Sequence, residues 1–241
     1  GHLSLIQACQ KLGYFSVVTI FVNPTQFNDQ DDFDIYPREI DNDKKILKNI
    51  NTNLLFLPAS SDLYPNGIKS KKTIFEYRDI LCDIYRPGHF DGVTTVVNSL
   101  INLIKPNHIF FGEKDYQQIK IIQKLLDNFS SIVLHSCPSI RMKNGMSFSS
   151  RYKKFSISEE KIFNQVSSIL MQFLIELRKN LDIKIVEDIK RKLEKIGIKK
   201  IDYLEIKNEI NLQPTLEKYN SRLFIAFYIG KIRIIDNFIL Y

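Results

Sequence analysis

Residues 112–118 (GEKDYQQ) place a glycine, two carboxylates, a lysine and two amides directly behind the apolar run 108–111 (HIFF). The apolar run reads as a buried parallel strand. Ile119, Ile122, Leu125 and Leu126 then recur at helical spacing. A strand's carboxyl end therefore meets a helix amino end, where unpaired N–H groups and the positive end of the helix dipole gather, and Lys114 adds a full charge. Such a junction can hold the phosphates of a nucleotide. Gly112 suits a close backbone approach, Glu113 lies in the same turn, and Asp115 can cap the helix or reach a ribose. The same seven residues also make an ordinary solvated turn, so the stretch does not decide by itself.

Two other places carry matching chemistry. Gly1 and His2 open an amphipathic pattern (Leu3, Leu5, Ile6, Ala8, Leu12), and Ser149, Ser150 and Arg151 sit in a polar loop after residues 141–145 (RMKNG). A histidine at one helix start, a lysine at another and a Ser-Ser-Arg loop can converge on one triphosphate, with arginine suited to bidentate grip on phosphate. Asn23 and Gln26 follow a second strand pattern in VNPTQF, where Pro24 ends the ladder and turns the chain. Neutral amides there suit a small hydroxy acid, because each offers a donor and an acceptor. Turn chemistry explains Asn23-Pro24 equally well.

Taken in order, GH at 1–2, FVNPTQF at 21–27, YPRE at 36–39, RPGHFDGV at 86–93, GEKDYQQ at 112–118 and MSFSSR at 146–151 resemble the pantoate–beta-alanine ligase family. The last third matches mainly through its ending, GKIRIIDN. The resemblance implies an ATP site formed by Gly1, His2, Gly112, Glu113, Lys114, Asp115, Ile140, Phe148, Ser149, Ser150 and Arg151. Within it, His2, Lys114 and Arg151 act catalytically by stabilising charge. It implies pantoate contacts from Asn23, Gln26 and Gln118, with Gln26 also bordering the β-alanine site and Gln117 pointing away. Mg²⁺ is expected to arrive with ATP, no protein-held metal is expected, and a homodimer is the expected assembly. Tyr152 stands where the family pattern leads one to expect Asn. Tyr36, Arg38, Arg86 and His89 read as turn residues that fix loops, and Asp43 as a helix-start residue.

The elements that must position these groups alternate. Helix, strand 16–22, helix 40–49, strand 54–57, helix 93–104, strand 108–111, helix 115–128 and strand 132–135 form an α/β pattern whose β-branched strands suit burial on both faces. The fold expected is a Rossmann-like, doubly wound parallel sheet of the nucleotidylyltransferase type, with ligands at the strands' carboxyl ends. After residue 139 the pattern changes to helices 159–179 and 186–196 and strands 201–207, 223–228 and 232–236, with Gly230-Lys231 as a tight turn. Residues 1–139 are thus expected to bind nucleotide and pantoate, and 140–241 to form a smaller α+β domain carrying the phosphate loop. The family's first strand and first signature histidine have no counterpart before Gly1, so the chain is expected to be a fragment of a longer natural protein.

Composition narrows the alternatives. At 241 residues and 44% apolar the chain can bury a sizeable core, and no apolar run approaches the roughly 20 residues of a membrane span. No secretory signal pattern is visible, and a cytoplasmic enzyme is expected. Cys9, Cys82 and Cys137 lack metal-ligand spacing and are expected to be reduced and buried. The net charge of +7 lies largely in Lys-rich stretches. In 190–200 the basic residues alternate with apolar ones at helical spacing, as on a solvated face, so no nucleic-acid partner is expected. The competing readings are another nucleotidylyltransferase of the same superfamily, which would lack the paired amides, and an inactive fragment with only a binding role. Replacing Gln26 or Gln118 with Ala should weaken pantoate use by about 10- to 100-fold, the scale of a lost charge-assisted hydrogen bond. Pyrophosphate release titrated with pantoate and with ATP reads this out. An equal loss of ATP affinity would assign the amides to the nucleotide instead.

Overall fold

A computed structural model describes residues 1–27, 33, 39–65, 67 and 72–241. They divide into two compact units: one comprises residues 2–113 and 117–137, the other Gly1, residues 114–116 and residues 138–241. Packing, not chain order, draws this division. Lys114–Tyr116 clusters with the C-terminal residues, although both its flanks belong to the first unit.

The first unit is α/β. Helix α1 (His2–Lys11) precedes strand β1 (Val17–Thr19), and α2 (Ile40–Asn49) leads to β2 (Leu54–Phe56). Two short helices, α3 (Ser60–Leu63) and α4 (Cys82–Tyr85), come before the long α5 (His89–Ile104); β3 (His108–Gly112), α6 (Tyr116–Leu126) and β4 (Val133–Cys137) follow. β1 pairs with β2 and β3 with β4, both in parallel. Among the described residues no ladder joins the two pairs. The run 16–22, expected to be strand throughout, pairs only over Val17–Thr19, because Pro24 starts a 3-10 turn (Pro24–Gln26) capped by Asn23. Helix α5 starts earlier than the expected Val93, at His89, behind Gly88 in the left-handed region (φ +76°).

On β3 and β4 the alternation puts His108, Phe110 and His135 on one face, and the two imidazoles meet at 3.0 Å. Tyr14 stacks on His108 at 4.1 Å and Phe110 on His135 at 4.4 Å. Both histidines are thereby satisfied within the unit. The three cysteines are free thiols. Only Cys82 is buried; Cys9 and Cys137 are half-buried, which corrects the expectation for those two. Burial pushes both of these thiols up, and the Glu113 charge adds to the effect at Cys137.

The second unit packs two helices, α7 (Ile157–Lys179) and α8 (Ile183–Lys195), on an antiparallel sheet of β5 (Ile201–Asn208), β6 (Ser221–Ile229) and β7 (Ile232–Ile239), with β6 central. Leu170 and Leu177 from α7, Ile189 and Leu193 from α8, and Leu223, Ile225 and Phe227 from β6 share one buried core. Each helix begins before the expected residue, because a cap lies just upstream. Ser156 and Glu159 form a reciprocal capping box on α7, and the Asp182 carboxylate accepts from the Lys184 amide on α8. Gly230 (φ +56°) and Lys231 form the two-residue turn between Ile229 and Ile232.

Tyr152 joins this core rather than closing the loop through a polar contact. Its ring packs against Phe163 at 4.5 Å and Phe155 at 5.6 Å. Burial, with the Asp236 charge second, holds its phenol far above the ordinary range, against the opposing pull of the Ser147 hydroxyl and Arg141. An unfolded chain ionises its tyrosines near pH 10. Above that pH the folded state keeps a proton that the unfolded state has lost, so this group's contribution falls as pH rises. Thermal midpoints measured from about pH 9 to pH 11 should therefore decline less steeply in Tyr152→Phe than in the parent. Parallel profiles would mean that the phenol titrates like an exposed one.

Candidate active site

In the first unit the amide turn is built from the inside. Asn23 is only 2% exposed. Its side-chain oxygen accepts from the Tyr64 hydroxyl at 2.7 Å, the Thr25 hydroxyl at 2.9 Å and the Thr25 amide at 3.2 Å. Its nitrogen donates to the Gly92 carbonyl at 3.1 Å and, at 3.4 Å, to the side-chain oxygen of Gln26. Burial pushes the Tyr64 phenol up, which keeps it a donor. The Gln26 carbonyl is gripped by Arg86 Nη2 at 3.1 Å and by His89 Nδ1 at 2.8 Å. Arg86 Nη1 also meets His89 Nε2 at 3.0 Å, so a neutral imidazole with its hydrogen on Nδ1 satisfies both contacts. Arg86 and His89 thus set the main chain of Gln26, as loop-fixing residues do. Tyr36 and Arg38 lie outside the described residues. Asp43 sits in the first turn of α2, behind the capping position Glu39.

The paired glutamines at the start of α6 divide their work. Gln117 is buried, accepts from the Cys82 amide at 3.0 Å and donates to the carbonyls of Tyr77 at 3.0 Å and Ile80 at 2.9 Å. It pins a segment in which Tyr77, Asp79 and Leu81 all have positive φ, a conformation costly for non-glycine residues. Gln118 is half-buried, and its amide has no hydrogen-bond partner among the described residues. Glu113 accepts from the Ser136 hydroxyl at 3.1 Å, and Gly112 ends β3 opposite Cys137. A methyl group added at Gly112 would meet only Leu5, at an ordinary 3.9 Å, so packing within the unit does not demand glycine there. His2 is exposed at the first position of α1.

In the second unit the residues expected to handle phosphate lie on two elements. Glu113–Asp115 form a 3-10 turn, with Asp115 exposed immediately before α6 and Lys114 half-buried. The other element is a narrow hairpin: Arg141 bridges Ser147, the Met142 amide donates to the Met146 carbonyl at 2.8 Å, and Gly145 (φ +88°) turns the chain. At its base the Phe148 amide donates to the Ile140 carbonyl at 3.1 Å, which sets two exposed apolar side chains side by side, with Gly1 against Phe148. Ser149 then caps a 3-10 turn (Ser150–Lys154) by accepting from the Arg151 amide at 3.2 Å.

Both elements meet β7. Asp236, 2% exposed, accepts from the Ser147 amide at 2.8 Å and from Arg141 at 3.2 Å. Burial raises its carboxyl, while Arg141, the Ser147 and Asn237 amides and Lys114 pull it down. Asn237 donates to the Lys114 carbonyl at 2.9 Å and accepts from Arg222 at 2.5 Å; Arg222 lies over the Tyr116 ring at 4.0 Å and pairs with Glu209 at 2.6 Å. Sequence reasoning did not single out Arg141, Asp236, Asn237 or Arg222. The available signal was a charged and amide-bearing dipeptide, Asp236-Asn237, inside an apolar strand pattern.

Parallel strand pairs, a lysine-bearing turn at a strand's carboxyl end and an antiparallel C-terminal sheet define an α/β protein of the nucleotidylyltransferase type. The profile of the Pantoate-beta-alanine ligase family matches residues 1–239, and the chain belongs to that family of enzymes. It is 37% identical to the pantothenate synthetase of Francisella tularensis subsp. novicida over 241 residues, which are 99% of this chain and 84% of that one. The fold is similar to the crystal structure of pantoate-beta-alanine ligase from Francisella tularensis complexed with beta-gamma ATP and beta-alanine. There the TM-score is 0.85 and the identity 36%, over 100% of this chain and 85% of that one. Pantothenate synthetase from Thermus thermophilus gives a TM-score of 0.89 at 28% identity, over 100% of this chain and 89% of that one.

The amide turn rests on Gly92. A methyl group there would collide with the Thr25 main chain and hydroxyl. Alanine in a helix interior normally stabilises by about 1 kcal/mol over glycine. Overpacking of about 1–3 kcal/mol should reverse the sign here, so Gly92→Ala should melt several degrees below the parent. A raised midpoint would show that helix and turn do not abut.

Proposed function

We propose that this chain condenses pantoate with β-alanine in two steps at the expense of MgATP. The pantoate carboxylate attacks the α-phosphorus, forming a carboxyl oxygen–phosphorus bond as pyrophosphate leaves. The β-alanine amine then attacks the acyl carbon of pantoyl adenylate; the carbon–nitrogen bond forms, the carbon–oxygen bond to AMP breaks, and the amine's proton is lost to solvent. What supports this reading is the family match across residues 1–239 together with Gln26, whose main chain is fixed by Arg86 and His89. A paired-amide grip is what separates a pantoate enzyme from other nucleotidylyltransferases.

Gln26 and Gln118 hold pantoate in this reading, with Gln26 bordering β-alanine and Asn23 setting the turn beneath. Ile140 and Phe148 offer apolar contact to the adenine, and Gly1, Gly112, Glu113 and Asp115 approach the nucleotide through main chain or ribose. His2, Lys114 and Arg151, helped by the Ser149 and Ser150 hydroxyls, neutralise the triphosphate and the departing pyrophosphate. Mg²⁺ would enter as part of the MgATP substrate and would supply neutralising charge to the phosphates. Residues 1–139 supply most of the nucleotide and pantoate contacts, and 140–241 the phosphate loop. The proposal extends to a homodimer working in the cytoplasm; light scattering and fractionation test those two points. No helix among the described residues is long and apolar enough to cross a membrane.

Lys114→Ala or Arg151→Ala should slow pantoate-dependent pyrophosphate release by on the order of 100-fold, as loss of one preorganised charge donor does. Preformed pantoyl adenylate should restore amide formation better in Arg151→Ala, because pyrophosphate has already left. Parent rates in both variants would place the phosphates elsewhere.

A further inference from the structure

Asn237 is spent entirely on holding other groups, and its partners lead to one place. Its side-chain nitrogen donates to the Lys114 carbonyl at 2.9 Å, and its side-chain oxygen accepts from Arg222 at 2.5 Å. Its own amide donates to Asp236 at 2.8 Å, and its carbonyl accepts from Arg141 at 2.6 Å. All four polar groups of one residue, itself 2% exposed, are therefore committed. Arg222, stacked on Tyr116 and paired with Glu209, and the Tyr116 hydroxyl on the Glu209 carbonyl at 3.3 Å, brace the same short segment from its other end. The segment is Lys114–Tyr116, which clusters with this unit while its sequence neighbours cluster with the other. A buried donor aimed at a turn carbonyl fixes where that turn's side chain starts. Here the side chain belongs to a lysine.

We propose that Asn237 is a positioning residue for the adenylation half-reaction, acting through the main chain of Lys114 to hold its ammonium where charge develops on the phosphates. The proposal rests on the reading of Lys114 given above. Asn237 touches no reacting atom. Its contribution is geometric: a misplacement of about 1 Å in a charge-stabilising group can cost about 100-fold in rate. Asp236 supports the arrangement by tying the Asn237 amide to the Ser147 end of the phosphate hairpin.

The test is a double-mutant cycle in the folded enzyme. Asn237→Asp keeps an oxygen facing Arg222, replaces the donor to Lys114 with a second acceptor and adds a carboxyl group beside Asp236, so Asn237→Ala, which removes the donor without adding a charge, is run in parallel. It should slow pantoate-dependent pyrophosphate release about 10-fold or more, leave KM for β-alanine within about twofold, and form amide from preformed pantoyl adenylate at the parent rate. In Lys114→Ala the further change Asn237→Asp should add less than about threefold, because the two residues act as a unit. Multiplying effects, or equal slowing of both half-reactions, would mark a general structural role and overturn the proposal. If Lys114→Ala is slow and Asn237→Asp runs at the parent rate, the positioning role falls and the function stands. Lys114→Ala at the parent rate would instead remove the phosphate assignment and this proposal with it. Should Asn237→Asp not fold, Asn237→Ala carries the same cycle and the same criteria.

Discussion

A carboxylate taken out of water must be surrounded by donors, and the C-terminal unit is arranged around that requirement at Asp236. Removing a partner from such a group leaves a buried charge unpaired, at a cost of several kcal/mol. The donors cannot be spared, so the segments that carry them are fixed: Arg141 and Ser147 of the hairpin, and Asn237 of the same strand. The hairpin is short and holds little apolar surface of its own, with Met146 its one fully buried apolar side chain. Its placement rests on this polar anchor together with Met146 in the core, Arg141 over the Phe238 ring and the Ser167 hydroxyl on the Asn144 carbonyl. Tyr152, immediately after Arg151, adds the complementary anchor by sinking its ring among Phe155 and Phe163.

The first unit meets the same requirement with neutral amides. Asn23 accepts three hydrogen bonds and donates two in the interior, Gln117 accepts one and donates two, and each holds a segment that ordinary secondary structure would not. The Asn23 turn brings a main-chain corner against α5, which only a glycine at position 92 allows. Gln117 holds in place a segment whose residues 77, 79 and 81 have positive φ. An amide suits these duties because it satisfies two carbonyls and an amide at once without importing a charge. Its loss would leave buried main-chain groups unpaired, each costing about 1–3 kcal/mol.

Much of this was legible in the sequence, and the parts that were not share a physical cause. Helix α2, strand β3 and the hairpin between β6 and β7 stand where periodicity and turn residues place them, because each is specified by contacts local in the chain. The early starts of α7 and α8 were also written locally, in Ser156 with Glu159 and in Asp182, but an apolar period begins only after the caps. The ordered motifs resemble the family without help from any coordinate. What periodicity cannot show is which of two equivalent amides turns inward. Gln117 and Gln118 are adjacent and chemically identical, and what separates them is the partners of Gln117, the carbonyls of Tyr77 and Ile80 and the amide of Cys82, 40, 37 and 35 residues away. The partners of Asp236 are 89 and 95 residues distant. Long-range polar pairing leaves no periodic trace in a single sequence.

These anchors also explain why the groups expected to meet substrate are so unlike their supports. Asn23, Gln117, Asp236 and Asn237 are buried and saturated, whereas Gln118 and Arg151 are half-buried and Ser150 is exposed. A group that must stabilise charge for the lifetime of a transition state gains most when its position is fixed in advance and its polar atoms are still available. Fixing the side chain itself would consume those atoms. Fixing the main chain beneath it does not, and that is the geometry at Gln26, held by its carbonyl through Arg86 and His89, and at Lys114, held by its carbonyl through Asn237. In both places a buried side chain, His89 or Asn237, spends a hydrogen bond on a neighbour's carbonyl and so fixes where that neighbour's side chain starts.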